Sequence, residues 1–419
     1  MAAPDPEWLS CLREACESLW PPPAQVTLEL GEPGRPGIPW GYGRGTREPV
    51  QPTEEEFTLV PWFRRPPLLV PTGYRAAAAA VRHYSVPRSS TARLCVNLLS
   101  LALIGGLSST ILRGRVRVSA QPGLETIEAY LKNLMSRDIR VSMYLGPARA
   151  NRKPVLQLLT GSGETIGFAK VGVSPLTSRL VRAERDALAQ VGAAGLKEIT
   201  VPRVLHYGVW NGLDVLVLSA LPAWRRRRPL SAARLAAAMR ELARVGGLQR
   251  DPLDGSEYLR RLRAGLGAAD EGPEQAALMQ VLGEVTARAD GTVFTFGAWH
   301  GDWAPWNMAN TGRGLMVWDW ERFTCGVPHG FDALHYWLQT ELRAGHRDPR
   351  AAAARCIEDA PGLLAPFGID ARTARLTATL YLADLSTRYL ADRQAQAGAP
   401  LGAPGTWLIP ALAGELARP

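Results

Sequence analysis

Residues 299–307 read WHGDWAPWN, and residues 317–321 read VWDWE. His300 and Asp302 stand two apart, Asn307 follows after four intervening residues, and Asp319 lies twelve residues further on. Short β-like runs, TVFTFGAW and GLMV, lead into the two pieces. A histidine, two carboxylates and a carboxamide on two neighbouring loops gather hard oxygen ligands and a proton acceptor at one place. Carboxylate and amide oxygens are what Mg²⁺ takes alongside water and substrate phosphates. Phosphoryl transfer is largely positioning and neutralisation of charge by such groups. Each residue also has a plainer reading: His300 and Asp302 can cap a turn, Asn307 can sit in a loop, and Asp319 can be a single acid in an aromatic hairpin.

Outward from these loops the chain changes character twice. IRVSMYL (139–145) predicts a strand, and VLQLLTGSGETIGFAKVG (155–172) a hairpin turning at Gly161, Ser162 and Gly163. PLTSRLVRAERDALAQVG (175–192) predicts a helix with a proline start and a glycine stop. Residues 200–222 alternate as two strands joined at Asn211-Gly212. From residue 229 the sequence is mainly helical, interrupted by the two β-like runs. A small β-rich lobe followed by a larger helical one is an α+β, two-lobed design. Residues 1–135 precede it as an N-terminal extension of unknown role. Proline and glycine punctuate its first 75 residues into short strands and irregular loops, helices are expected over 73–112, and 124–135 places Leu124, Ile127, Leu131, Leu134 and Met135 on one helical face. The expected division is 1–135, 136–222 and 223–419.

HGDWAPWN…VWDWE resembles the catalytic and metal loops of the aminoglycoside phosphotransferase and choline kinase branch of the protein-kinase-like superfamily. That family's pattern is His-x-Asp, four residues, Asn, then an apolar strand ending in Asp, and Glu321 stands two residues beyond, as in many small-molecule kinases of the branch. The resemblance covers roughly residues 136–392 and implies a protein-kinase-like fold and an ATP- and Mg²⁺-dependent transfer of phosphate to a hydroxyl of a small molecule. It implies that Asp302 orients or deprotonates the hydroxyl, that Asn307 and Asp319 hold Mg²⁺, and that His300 supports the catalytic loop. Lys170, ending IGFAK, is placed like the strand lysine that meets the α/β-phosphates, and Glu184 like the helix glutamate that holds it. Ser219, Ala220 and Leu221 resemble the hinge whose backbone contacts adenine. The loop 146–154 takes the place of the phosphate-covering loop without its GxGxxG, leaving Gly146, Arg149, Arg152 and Lys153 to offer amides and charge; a solvated basic turn fits equally. Asp332 resembles the aspartate that buttresses the catalytic loop, with capping of its own helix as the other reading. Trp303, Trp306, Trp318 and Trp320 read as core and wall, with stacking of Trp303 or Trp306 on a sugar-like or cationic substrate as the alternative.

Composition narrows the classes. In a chain of 419 residues with 46% hydrophobic and 21% charged residues, neither wholesale disorder nor a polytopic membrane protein is indicated. The net charge of +9 is uneven, +11 over residues 1–228 and −2 over 229–419. Part of the excess is the run Arg225–Arg228, a solvated loop or a contact to phosphate, nucleic acid or lipid; nucleic acid is not an expected partner. Cys11, Cys16, Cys95, Cys325 and Cys356 form no CxxC pair, so neither a disulfide frame nor a zinc site is written here. The first residues lack a basic segment followed by an apolar run, and a cytoplasmic location is expected. The uncharged segment 94–112 is long enough to span a bilayer, but Asn97, three serines, Thr110 and Gly105-Gly106 point instead to a buried helix, a turn and a second short element. No GxxxxGK[ST], HExxH, GxSxG or dinucleotide fingerprint occurs. The remaining alternative is a kinase-like scaffold that binds nucleotide, or a protein partner through residues 1–135, without turnover; the intact His300, Asp302, Asn307 and Asp319 speak against it. No APE-like motif follows Asp319, which disfavours a protein substrate.

Overall fold

The structure, a computed structural model, describes residues 6–29, 38–40, 53–62, 65–84, 90–106, 112, 114–121, 123–224, 227–311, 314–345 and 348–418. Arg225 and Arg226, most of the Pro- and Gly-rich 33–45 stretch and the short element expected at 107–111 lie outside them. The chain divides into two compact units. The first comprises residues 1–147, 152–181 and 204–220, the second 148–151, 182–203 and 221–419.

The first unit is built on one ten-stranded sheet. In spatial order its strands are Val204–Trp210, Leu213–Ser219, Thr165–Gly172, Pro154–Thr160, Ile139–Leu145, Arg65–Pro71, Thr53–Trp62, Gly114–Ala120, Gln25–Glu29 and Ile38–Trp40. Every neighbouring pair is antiparallel. The hairpins expected from sequence are present: Leu159 pairs with Thr165 across the turn at 161–163, and Asn211 (φ 46°) and Gly212 (φ 77°) form the two-residue turn between Val204–Trp210 and Leu213–Ser219. Positive φ at both turn positions matches the right-handed strand twist, which is why Asn-Gly is chosen there.

The sheet does not stop at residue 135. Leu68 and Leu69 pair with Tyr144 and Met143, so strands from the N-terminal 135 residues continue the sheet of the β-rich lobe. Two helices pack into one apolar cluster with it. Pro6–Leu19 contributes Trp8, Leu12, Cys16 and Leu19, and Ile127–Met135 contributes Ile127 and Leu131. The second of these is capped by Thr126, whose hydroxyl accepts from Ala129 N at 3.3 Å. On the other side Tyr74–Tyr84 buries its alanines with Val60, Leu68 and Val70.

The segment at 94–112 departs from expectation. Ser90–Ile104 is a helix, but only one side is buried: Ser100 and Leu103 face inward while Leu94, Leu98 and Leu101 are 58%, 57% and 63% exposed. An apolar composition fixes how much surface a helix can bury, not how much its neighbours cover. Among the described residues no helix is long and apolar enough to cross a membrane.

The second unit is mainly helical, as the sequence indicates beyond residue 229. Its core is formed by the helices Glu257–Gly267, Pro273–Arg288, Phe331–Ala344, Pro349–Leu364, Ala371–Ala391 and Leu408–Leu416. Two small sheets interrupt them. Val293–Trp299 lies between Gln249–Pro252 and Thr324–Pro328, and the hairpin Met308–Thr311/Gly314–Val317 takes Ile199–Thr200 as a third, parallel strand.

In the first unit, Glu128 is a buried acid whose Oε2 accepts from Trp20 Nε1 at 2.8 Å while Oε1 has no hydrogen-bond partner. Burial pushes this carboxyl up to about 8, and the Glu55 carboxylate adds to the shift. The folded protein therefore keeps a proton that the unfolded chain releases near its ordinary value of about 4.3. Stability from this group is complete below that value and is lost as pH rises through about 8. Urea unfolding of Glu128→Gln, which retains an acceptor for Trp20, should show a smaller fall in midpoint between pH 5 and pH 8 than the wild type; parallel pH profiles would refute the assignment.

Candidate active site

The strand Val293–Trp299 ends directly at His300, and Gly301 turns the chain with φ 81°. A Cβ at Gly301 would sit 2.2 Å from the Arg322 carbonyl oxygen, so glycine is required both by conformation and by space. The turn's backbone groups are tied on both sides. Asp332 accepts from His300 N at 2.9 Å and Gly301 N at 3.3 Å, and Arg388 Nη1 donates to Gly301 O at 2.6 Å. The Arg388 guanidinium also lies over Trp299, at 5.8 Å from the ring centroid. Asp332 does not cap its own helix: the N-cap is Gly330, with no side-chain cap bond. Of the two readings of Asp332, the contacts are those of a buttress. Burial pushes its carboxyl up to about 7 against the pull of the two amides.

His300 is fully buried and burial lowers it to about 4, so the ring is neutral. A neutral imidazole has one N–H. Nε2 faces Trp318 O at 3.1 Å, a carbonyl that can only accept, and Asp302 N donates to Nδ1 at 3.2 Å. The tautomer is thereby fixed with the proton on Nε2. Through this one ring the loop carrying Asp302 is joined to the residue preceding Asp319.

The Asp302 side chain is 29% exposed, and both of its oxygens have donors. Asn307 Nδ2 donates to Oδ2 at 2.8 Å and to the Asp302 carbonyl at 3.0 Å, and His335 Nε2 lies 3.0 Å from Oδ1. Burial is the largest influence and acts to raise this carboxyl, but the His335 hydrogen bond and the electrostatic attraction of His335 and Arg388 together outweigh it and hold the group below the usual carboxylate value.

The hairpin explains the twelve-residue gap. Met308 pairs with Val317, and Trp318 N donates to Asn307 O at 3.0 Å, so antiparallel pairing returns Asp319 to the end where Asn307 stands. Asp319 has φ 73°, a sparsely occupied conformation for a residue with a Cβ. Its neighbours hold it there: Trp318 by the bond to Asn307, and Trp320 N by donation to Glu184 Oε1 at 3.2 Å. Carboxylate oxygens of Glu184, Asp319 and Glu321 lie within 4.8 Å of one another. Glu321 in turn accepts from Asn151 Nδ2 at 3.0 Å.

Trp303 and Trp320 are completely buried, with their indoles donating to Met308 Sδ and Val317 O. This corrects the alternative in which Trp303 stacks on a substrate; its face is core. Trp306 carries the Arg343 guanidinium 5.0 Å from its ring centroid.

His300, Asp302, Asn307, Asp319 and Glu184 are thus brought together within the second unit. Of the nucleotide-side candidates, Gly146, Arg152, Lys153, Lys170, Ser219 and Ala220 belong to the first unit, and Arg149 and Leu221 to the second. Lys170 lies on Thr165–Gly172, paired with Val155 and Leu216, and is buried. Gly146 follows Ile139–Leu145 and has open space where a Cβ would stand. The Arg152 guanidinium is directed at the Cys11 thiol of the helix Pro6–Leu19. Ser219 pairs with Gly167, Ala220 N donates to Ile166 O at 3.3 Å, and the first unit ends at Ala220, with Leu221 opening the next segment of the second. Sequence reasoning passed over Asn151, His335, Tyr381 and Arg388. His335 follows Asp332 at i+3 on one helix, a spacing readable in HGFDALHYW, whereas the other three meet the site only through tertiary packing.

The chain matches the phosphotransferase enzyme family over residues 168–367. No curated protein matches it by sequence. Among solved structures it is similar to choline kinase LicA from Streptococcus pneumoniae (TM-score 0.45, 13% identity, 69% of this chain and 99% of that one). It is similar also to a thermostable aminoglycoside phosphotransferase APH(4)-Ia in complex with ADP and hygromycin B (0.44, 13%, 69% and 97%). A choline/ethanolamine kinase family protein from Mesorhizobium loti aligns at 0.37 and 15% identity, over 63% of this chain and 85% of that one. The family match spans Lys170, Glu184, residues 219–221, the loops at 299–307 and 317–321 and Asp332, and excludes Gly146 and Arg152. The match to the phosphotransferase enzyme family covers just under half of the chain, residues 168–367 of 419.

Proposed function

We propose that the protein transfers the γ-phosphate of ATP, with Mg²⁺, to a hydroxyl of a small molecule of aminoglycoside, sugar or amino-alcohol type. The observation that carries the reading is Asp302: a partly exposed carboxylate, kept ionised, with each oxygen fixed by a separate donor. A carboxylate held in this way can orient an incoming hydroxyl and accept its proton as the oxygen attacks phosphorus.

Asn307 and Asp319 are the metal-holding residues of this reading, with Glu321 and Glu184 close enough to Asp319 to contribute. An all-oxygen set suits Mg²⁺. When bound, the ion neutralises charge on the phosphates. The resemblance gives Lys170 the α/β-phosphates, Glu184 the positioning of Lys170, and residues 219–221 the adenine. Gly146 and Arg152 are proposed as phosphate contacts, Arg152 on leaving Cys11. His300 keeps the two loops in register.

Transfer of labelled γ-phosphate from ATP into a small-molecule extract tests the reading. Wild type should yield a labelled compound. Asp302→Asn should bind Mg·ATP nearly as well but lose turnover by about 10²–10⁴-fold, the range for a missing general base. Asp319→Ala should instead weaken Mg·ATP binding, by about tenfold or more. Equal loss of folding in both variants would point to structural roles, and ATP binding without transfer to any acceptor would favour the scaffold.

Gly301→Ala provides a contrast that needs no substrate. The positive φ alone should lower the unfolding free energy by roughly 1–3 kcal/mol, and the 2.2 Å approach to Arg322 O adds to it. An unchanged melting temperature would mean that the turn is not held as described.

A further inference from the structure

We propose that His335 is the positioning residue of the Asp302 carboxylate, and that the Tyr381 hydroxyl sets the tautomer in which it acts. The inference rests on the phosphotransferase reading and adds to it a residue of the helical core. Asp332 and His335 are three apart on Phe331–Ala344 and therefore share a face. That face holds three consecutive residues of the catalytic loop: Asp332 takes the amides of His300 and Gly301, and His335 takes the Asp302 side chain. A straight helix is a rigid ruler, so the carboxylate is placed relative to its own loop by a single element.

The direction of each hydrogen bond follows from elementary chemistry. An ionised carboxylate only accepts, so His335 Nε2 must carry the proton that faces Asp302 Oδ1 at 3.0 Å. Burial lowers His335 below the usual imidazole value, leaving it neutral with a single N–H. Nδ1 is then a lone pair, and the Tyr381 hydroxyl, 3.0 Å away and fully buried, must donate to it. Without that donor the ring could place its proton on Nδ1 and turn a lone pair toward the carboxylate. The proton on Nε2 stays with the imidazole; the substrate's proton goes to Asp302. Asn307 holds the other oxygen, so the two donors together fix the plane of the carboxylate.

The test combines a spectroscopic readout with steady-state hydrolysis of Mg·ATP, water serving as the acceptor. ¹⁵N chemical shifts of His335 in wild type should report a protonated Nε2 and an unprotonated Nδ1, and Tyr381→Phe should convert the ring to a mixture of tautomers. His335→Phe should keep its melting temperature within a few degrees and its KM for Mg·ATP within about twofold, while kcat falls by about 10- to 100-fold, the cost of a misplaced catalytic group. His335→Gln, whose amide nitrogen reaches about as far as Nε2, should recover a substantial part of the loss. Should His335→Phe fail to fold, Tyr381→Phe carries the test alone, with a reduced kcat at unchanged KM. A folded His335→Phe with wild-type kcat, or a wild-type ring protonated on Nδ1, would overturn the proposal. Wild type that neither hydrolyses nor transfers phosphate, yet shows the Nε2–H tautomer shifting in Asp302→Asn, would sink the phosphotransferase reading and leave the contact standing.

Discussion

The neutral imidazole of His300 is the constraint on which the site depends. Its ring touches both loops at once, accepting from Asp302 N and donating to Trp318 O. A charged ring would have no acceptor at Nδ1, where an amide donor stands, so the contact to Asp302 exists only for the neutral form. Burial supplies that condition. The tryptophans of the opening motif follow from it: Trp320 lies 4.5 Å and Trp303 5.9 Å from the imidazole, ring centre to ring centre, and both are buried. They exclude water from a polar junction whose hydrogen bonds strengthen in a low-dielectric setting and are costly to leave unmade there.

Local chemistry was legible and distant pairing was not. The strand at 139–145, the turn at Asn211-Gly212 and the helix at 175–193 follow from alternation, positive-φ residues and proline placement within a few positions. The approach of Asn307 and Asp319 was legible for the same reason, since a short hairpin brings them together over twelve residues. The helix Pro6–Leu19 went unread although Trp8, Leu12, Cys16 and Leu19 recur at helical spacing, because the prolines that follow dominate that region's composition. That the strands before residue 135 extend the sheet of the β-rich lobe depends on pairings such as Leu68 with Tyr144, and nothing in the alternation of either strand names its partner.

Partners remote in sequence make up the rest of the site. Glu321 meets Asn151 across 170 residues, Gly301 meets Arg388 across 87, and Asp302 meets His335 across 33. None carries a motif, because a hydrogen bond between two packed elements requires only that each side chain face the other. His335 came nearest to being readable, standing at i+3 from an aspartate already singled out.

Two strained turns depend on those remote partners. Gly301 and Asp319 both adopt positive φ, a region sparsely occupied by residues that, like Asp319, carry a Cβ. Each turn is held by hydrogen bonds from outside its own loop: Gly301 by Asp332 and Arg388, and the residue after Asp319 by Glu184. Asp332, Tyr381 and Arg388 come from two helices whose other faces build the main apolar core of the second unit. Loosening that core would therefore be felt first at the loop it restrains, because the strained backbone has a lower-energy conformation to relax into and the helices do not. The position of the Asp302 carboxylate is in this sense a property of helix packing, delivered through His335 and through the bonds of Asp332 and Arg388 to the turn at Gly301.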